Sequence, residues 1–438
     1  MFSLEKFKEG AAWTNWSQRF VSYPTYYAPQ SVDELVQIVK DHSQSSRTIR
    51  VTGAAHSFSP VALPESSALT LHHLRGLISV DKEKMEATFY AGTYLYEIGP
   101  LLEQHGLAVL NMGDINVQTL AGVISTGTHG TGVTLGSFSS MVTKWTFVNG
   151  LGEVMTHERG EDDLSHALHV SLGLLGILVA VTIRVIPLYS LHYRSSRENL
   201  HTSLQTFQQD IRQHRHVEWY YFPCSETIQV KKMDLIPPKY ATARERTMEN
   251  LKLEMIENRL FEVASKVCKL KPQFSTMVSQ LSSKLITEGE KVDICYMVYP
   301  TPRRVKFNEA EFAIPLQQFE ACMEEIHATM KAEKFNVHFP IECRTTAGEA
   351  GFLSPTQGEE SAFLAFHMYQ GMDESRYFQW VFSMMEKYGA RAHWGKMNRY
   401  TKENIDLYYP HAQKINKIRQ KLDPADIFVT HYFNKIFC

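Results

Sequence analysis

The sequence predicts an α+β fold in two domains, on three observations. The chain has 438 residues, beyond the ~250–300 at which a single hydrophobic core stops growing. Helix and strand signals alternate through the first third and give way after Pro187 to a stretch richer in charge and poorer in periodicity. Strand signals then return in the last third, which reads as an antiparallel sheet in the second domain.

In the first domain, Ser31-Val32-Asp33-Glu34 reads as a capping box, and Leu35, Ile38 and Val39 continue an apolar helical face, so a helix is expected over 32–42. Thr48 to Thr52 reads as a strand, followed by a tight loop of small residues, Gly53-Ala54-Ala55-His56-Ser57. Strands are expected over 77–80 and 86–91, and a helix over 94–105. Residues 110–132 are dense in Gly, Thr and Ser and nearly free of charge, a composition that lets backbone approach a ligand closely and offers many donors. A strand over 145–148, a turn at Asn149-Gly150 and a return strand over 153–156 form a hairpin. The apolar run Val170 to Ile183 reads as a buried helix end followed by a strand.

Beyond residue 190, the sequence predicts an exposed helix over 241–258 and strands over 293–299, 309–314, 337–344 and 362–369. A helix over 412–421 stops at Leu422-Asp423-Pro424.

Composition narrows the function. Charged residues are 21 % and the net charge is -2, which supplies no broad basic surface for nucleic acid. The opening MFSLEKFKEG lacks the apolar stretch of a signal peptide, and Val170 to Ile183 is shorter than the ~20 residues that cross a bilayer. A cytoplasmic protein without a membrane segment is expected. The six cysteines include no CxxC pair, and the 19 histidines include no convincing HxxxH or HxH with a carboxylate, so no metal site is assigned. His72-His73 reads as a surface feature. There is no GxGxxG after the first strand and no GxxxxGK[ST]. The two Gly/Thr/Ser segments, 53–57 and 126–130, still suit a large anionic cofactor, whose diphosphate wants backbone N–H groups and small side chains, although a pair of structural turns reads equally well from the residues alone.

Three stretches carry a resemblance. Arg50-Val51-Thr52-Gly53-Ala54-Ala55-His56-Ser57 resembles the first phosphate loop of the vanillyl-alcohol-oxidase type (PCMH-type) FAD domain, and Ala121 to Gly130 resembles its second. His393-Trp394-Gly395-Lys396, with Leu422-Asp423-Pro424 and Phe428, resembles the C-terminal signature of the sugar-1,4-lactone and alditol oxidases. The resemblance covers nearly the whole chain and is weakest over 190–290. It implies an FAD domain over 1–188, a substrate domain over 189–402 and a C-terminal segment, 403–438, that returns to the FAD domain. It also implies covalent attachment of the flavin through His56. Val51, Thr52, Gly53, Ala54, Ala55 and Ser57, with Thr119, Gly122, Thr126, Gly127, Thr128 and His129, are expected around the diphosphate and the ring. Gly113 and Asp114 are expected beside the flavin and Ile177 near the adenine portion.

On the substrate side, Glu342-Cys343-Arg344 alternates on an expected strand, so both charges point to one face and Cys343 to the other. Such a pair inside an apolar segment is costly unless paired or functional, and a structural ion pair is the plain reading. The resemblance places Glu342 and Arg344 over the flavin, together with Lys396 and His367. It implies that Arg344 and Lys396 stabilise a developing alkoxide while Glu342 or His367 accepts a proton. Asp114, Glu309 and Tyr369 are further candidates for binding substrate, and Glu311 is a neighbouring polar group.

The substrate class is mixed in the sequence. Tyr369 and the ending LDPADIFVTHYFNKIF resemble the lactone branch, and His367 the alditol branch. Gly113, where an Ala blocks oxygen in some relatives, favours an oxidase over a dehydrogenase. The expected reaction is oxidation of a CHOH group of a sugar lactone by O2, giving a ketone and H2O2, with an alditol as the alternative substrate. A non-catalytic sugar-binding protein is the rival of another class.

Overall fold

The computed structural model describes residues 7–301 and 305–438. The first six residues, part of the stretch read for a targeting signal, lie outside them. The N-terminal body holds two sheets. Thr25–Tyr27, Ser67–Leu69 and Ile49–Val51 form a parallel sheet with 67–69 in the centre. The helix Val32–Ser45 precedes Ile49–Val51, burying Leu35 and Val39. Ser31 caps it by accepting from the Glu34 N–H. The expected box is not reciprocal, because the Glu34 carboxylate accepts from the N–H of Gln30 instead.

An antiparallel sheet of five strands follows in the order Val154–Glu158, Val142–Val148, Ile177–Arg184, Glu86–Tyr90, Leu77–Asp81. Ile177–Arg184 is buried on both faces, which explains its unbroken apolar run. The segment before it differs from the expected helix end: the helix Asp163–His169 stops first, and residues 170–176 are turns with Leu172, Gly173 and Gly176 at positive φ.

The second body is built on an eight-stranded antiparallel sheet in the order 289–294, 190–199, 227–236, 216–221, 341–346, 361–369, 307–315, 391–392. Helices Leu200–Gln213, Phe319–Glu333 and Ser375–Lys387 cover one face, with Phe207 stacked on Phe319 (centroids 4.1 Å apart) and Cys343 against Met323. The opposite face carries Glu218, Glu309, Glu342 and Arg344 towards the first body. The strand expected over 293–299 ends at Ile294, where Cys295–Val298 turns helical. That over 337–344 is Ile341–Thr346. The exposed helix over 241–258 is Ala243–Lys252 continued by a π-helical stretch to Leu260.

The two bodies are stitched just after the second Gly/Thr segment. The Thr131 hydroxyl donates to the Val217 carbonyl (2.6 Å) and accepts from the Thr345 N–H (3.2 Å), while the Gly132 N–H donates to the Thr345 carbonyl (2.7 Å). The C-terminal residues pack on the first body: the Ile49 N–H donates to the Ile427 carbonyl (2.8 Å), and that of Gly150 to Leu422 (2.7 Å). The Asp423 carboxylate accepts from the N–H groups of Ile427 and Phe428, fixing that turn. Among the described residues, no helix is long and apolar enough to cross a membrane.

Candidate active site

A crevice and a chamber meet at His56. The crevice runs between the loop 51–57, the helix Leu120–Thr126 and residues 172–178, and Phe428 from the C-terminal segment completes its wall. The chamber lies between the first body and the sheet, lined by Gly113, Asp114, Thr128, His129, Glu309, Glu311, Arg344, His393 and Lys396. His56, Ser57, Gln118 and Thr126 belong to both cavities.

The loop is shaped to present donors. The Ala55 carbonyl accepts from the Trp16 N–H (2.7 Å), with Ala55 itself at φ 53°. Among the described residues, the N–H groups of Gly53 to Ser57 have no protein acceptor. A row of unpaired N–H groups in a half-buried loop is an anion cradle. Gly53 is required by close approach: a Cβ there would lie 2.4 Å from the Thr119 hydroxyl. That hydroxyl is committed, because it caps the short helix by accepting from the Gly122 N–H (3.3 Å). The helix start has no free donors, since Leu120 and Ala121 donate to the carbonyls of Thr93 and Ala91. The first loop therefore supplies unpaired N–H groups that the start of this helix does not.

Two charged clusters face the chamber. In one, Arg344 Nε donates to Glu218 (2.7 Å), and its Nη2 contacts Asp114 (3.1 Å) and Glu342. Tyr220 donates to Glu342 (3.2 Å), and Lys231 lies 3.7 Å from Glu218. In the other, Lys396 Nζ sits 2.6 Å from Glu309 and 3.9 Å from Glu311. His367 Nε2 is 3.6 Å from Glu309, and His129 Nε2 is 3.5 Å from Glu311.

The comparisons with known proteins agree with this architecture. The FAD binding domain profile matches residues 24–158. The profile described as D-arabinono-1,4-lactone oxidase matches residues 181–436, more than half of the chain. The chain belongs to the D-arabinono-1,4-lactone oxidase family. Among the relatives, an L-gulono-1,4-lactone dehydrogenase of Mycobacterium tuberculosis is 28 % identical over 97 % of this chain and 98 % of its own. The L-gulonolactone oxidase of Mus musculus is 28 % identical over 98 % and 99 %. A cholesterol oxidase structure from Brevibacterium sterolicum superposes with a TM-score of 0.80 at 15 % identity, covering 98 % of this chain and 97 % of that one, a likeness of fold.

As a member of this family the chain is an FAD enzyme, and the crevice fits the cofactor: the unpaired N–H row suits the diphosphate. Val51, Thr52, Gly53, Ala54, Ala55, His56, Ser57, Thr119, Gly122, Thr126 and Ile177 all line it. Gly113, Asp114, Thr128 and His129 line the chamber instead. Gly127 lines neither cavity; it ends the short helix at φ 70°, beside Val170. Among the substrate-side candidates, Asp114, Glu309, Arg344 and Lys396 reach the chamber surface. Glu342 stands behind Arg344, and His367 behind Glu309. Tyr369 lies outside the lining, stacked on Phe339.

Burial and neighbouring charge set the protonation states. Burial, with Lys396 nearby, pulls His56 down to about 4, so its imidazole is neutral at physiological pH. Burial pulls His393 down to about 3. Its Nδ1 accepts from the Gly395 N–H (3.0 Å), which puts the ring proton on Nε2. Burial works against ionised Glu309, but Lys396 and His367 outweigh it and bring the carboxyl to about 2. Glu218 is likewise held at about 2, where Arg344 and Lys231 outweigh burial. Glu342 moves the other way: burial, helped by the charges of Glu218 and Asp114 and opposed by Arg344, holds it well above the usual carboxylate range.

Sequence reasoning missed Glu218 and Trp16. Glu218 had a signal, a lone acid in the aromatic strand His216–Tyr221, which was not read as a strand. Trp16, stacked on His56 at 5.3 Å, had none. The fold also gathers His129, Glu311 and His393 within 4.8 Å, from three segments whose spacing carries no metal motif.

Proposed function

We propose that the chain oxidises a CHOH carbon of a sugar-1,4-lactone, passing two electrons through FAD to O2, with a ketone and H2O2 as products. The observation that carries the reading is one chamber holding Lys396 and Arg344, each fixed by carboxylates, at the end of the cofactor crevice. FAD, when bound, supplies the two-electron acceptor. Lys396 and Arg344 stabilise the negative charge that develops on the substrate oxygen. Glu342, outside the chamber lining and in contact with Arg344 Nη2, positions that guanidinium rather than acting as the base. The Glu309–His367 pair takes the hydroxyl proton.

His56 is the proposed point of covalent flavin attachment. Its ring borders both cavities, is neutral, and makes no hydrogen bond among the described residues. Acid precipitation tests this: yellow colour that stays in the pellet, and leaves it in His56→Ala, supports attachment. Colour released from the native protein overturns it.

Turnover with lactones and alditols, followed by peroxide detection, tests the reaction. Reduction of an artificial dye without peroxide would instead favour a dehydrogenase, the activity named for the mycobacterial relative. Gly113, lining the chamber, favours the oxidase.

A further inference from the structure

We propose that the chamber is a charge filter, in which Asp114 admits uncharged polyhydroxylated ligands and rejects the carboxylate formed when a sugar lactone opens. This rests on the lactone reading above and deepens it by naming the ionic form accepted. The problem is built into the substrate class: a 1,4-lactone in water stands in equilibrium with an open-chain aldonate that carries the same hydroxyls and one negative charge.

Asp114 stands where that choice is made. It borders both the chamber and the outer groove that runs along the helix Ala243–Lys252, so an entering ligand passes it. Its carboxylate already occupies Arg344 Nη2 at 3.1 Å, where Glu342 also makes contact, while Glu218 holds Nε. A ligand carboxylate that approaches Nη2 must displace Asp114 and lie beside Glu342, and one that approaches elsewhere on the guanidinium still meets the Asp114 charge at close range. Lys396 offers no better partner, since Glu309 holds it at 2.6 Å and Glu311 lies 3.9 Å away. The groove draws no anion inward either: among the described residues its Lys239, Arg246 and Lys291 are outnumbered by Asp114, Glu245, Glu249, Glu290 and Asp293, and Arg246 is paired with Asp293 at 2.7 Å and Lys291 with Glu249 at 3.6 Å. Three lining carboxylates, Asp114, Glu309 and Glu311, then repel a fourth at close range in a partly desolvated site. A hydroxyl suffers no such cost and both donates to these oxygens and accepts from the cations.

The test is calorimetric binding to the full-length, flavin-loaded protein, reduced and anaerobic so that nothing turns over. Three ligands of one sugar acid are compared: the lactone, the aldonate, and the aldonamide, which has the open chain without the charge. The aldonamide is expected to bind at least tenfold tighter than the aldonate. Asp114→Asn is expected to narrow that gap to about threefold, chiefly through tighter aldonate binding, and Asp114→Ser repeats the measurement in a smaller side chain. Equal binding of acid and amide to the native protein overturns the filter, as does binding of none of the three. Tighter binding of the aldonate makes Arg344 a carboxylate receptor and overturns it too. The lactone reading fails separately, if the oxidised protein turns over no lactone while the acid–amide gap persists.

Discussion

Arg344 Nε and Glu218 Oε1 lie 2.7 Å apart, so that Glu218, from a different strand than Glu342, is a buried counter-ion of this guanidinium. Removing the charge of Glu218 leaves a buried guanidinium short of its counter-ion. Glu218→Gln is expected to destabilise the protein by about 3–5 kcal/mol, and Glu342→Gln, which mimics the protonated form, by about 1 kcal/mol or less. Because the folded pKa of Glu342 is raised, its contribution is complete below the ordinary glutamate value and is lost as pH rises through the folded value. The Glu342→Gln protein should therefore lose less stability than the native one towards alkaline pH, as urea titrations across that range will show.

Lys396 is expected to act on the reaction rather than on the cofactor. Lys396→Met should lower kcat/KM for lactone oxidation by about 100-fold or more, the usual effect of removing one stabilising donor. The ratio of flavin to protein absorbance should stay that of the native enzyme. A loss of flavin instead would place Lys396 in cofactor retention.

Gly53 makes a steric prediction. Gly53→Ala sets a Cβ 2.4 Å from the committed Thr119 hydroxyl, and flavin retention on gel filtration should fall at least tenfold. Thr119→Ala in the same chain removes that oxygen at a cost of about 1 kcal/mol for the lost cap. Flavin retention should then recover.

Acid should destabilise the fold in a defined window. His216 and His56 are held at about 4 and His393 at about 3, all lowered first by burial. A depressed folded pKa gives stability that is present above the unfolded value of about 6.5 and is lost as pH falls towards the folded value. Denaturation midpoints should fall steadily from pH 6.5 to about 4. His216→Phe should flatten part of that slope, because Phe has no proton to gain.

The parts of the site legible in the sequence were those fixed by local geometry. The loop 53–57 announced itself by small residues beside a strand, and the alternation of Glu342, Cys343 and Arg344 correctly put the two charges on one face. The partners of those charges were not legible, since Glu218 lies more than 120 positions from Arg344 and only sheet pairing brings them together. The strands Ser190–Asn199 and Thr227–Ile236 were missed for a physical reason: each is half-exposed, and charged residues (Arg194, Arg197 and Glu198 in the first, Lys231, Lys232 and Asp234 in the second) masked the alternation. The helical turn at Cys295–Val298 was misread as strand because a short apolar run serves either state. Gly127, which the resemblance placed near the cofactor, takes the left-handed end of a helix, a conformation that favours glycine.

The crevice that begins at Gly53 is walled by Phe428. During synthesis, at roughly 5–20 residues per second, the loop emerges some 20 to 75 s before that wall. Until residue 428 clears the ribosome, the nascent chain can offer a flavin only an open trough. Secure loading of the cofactor therefore belongs to the finished polypeptide, and truncation just ahead of Phe428 should yield colourless protein even where the first body has folded.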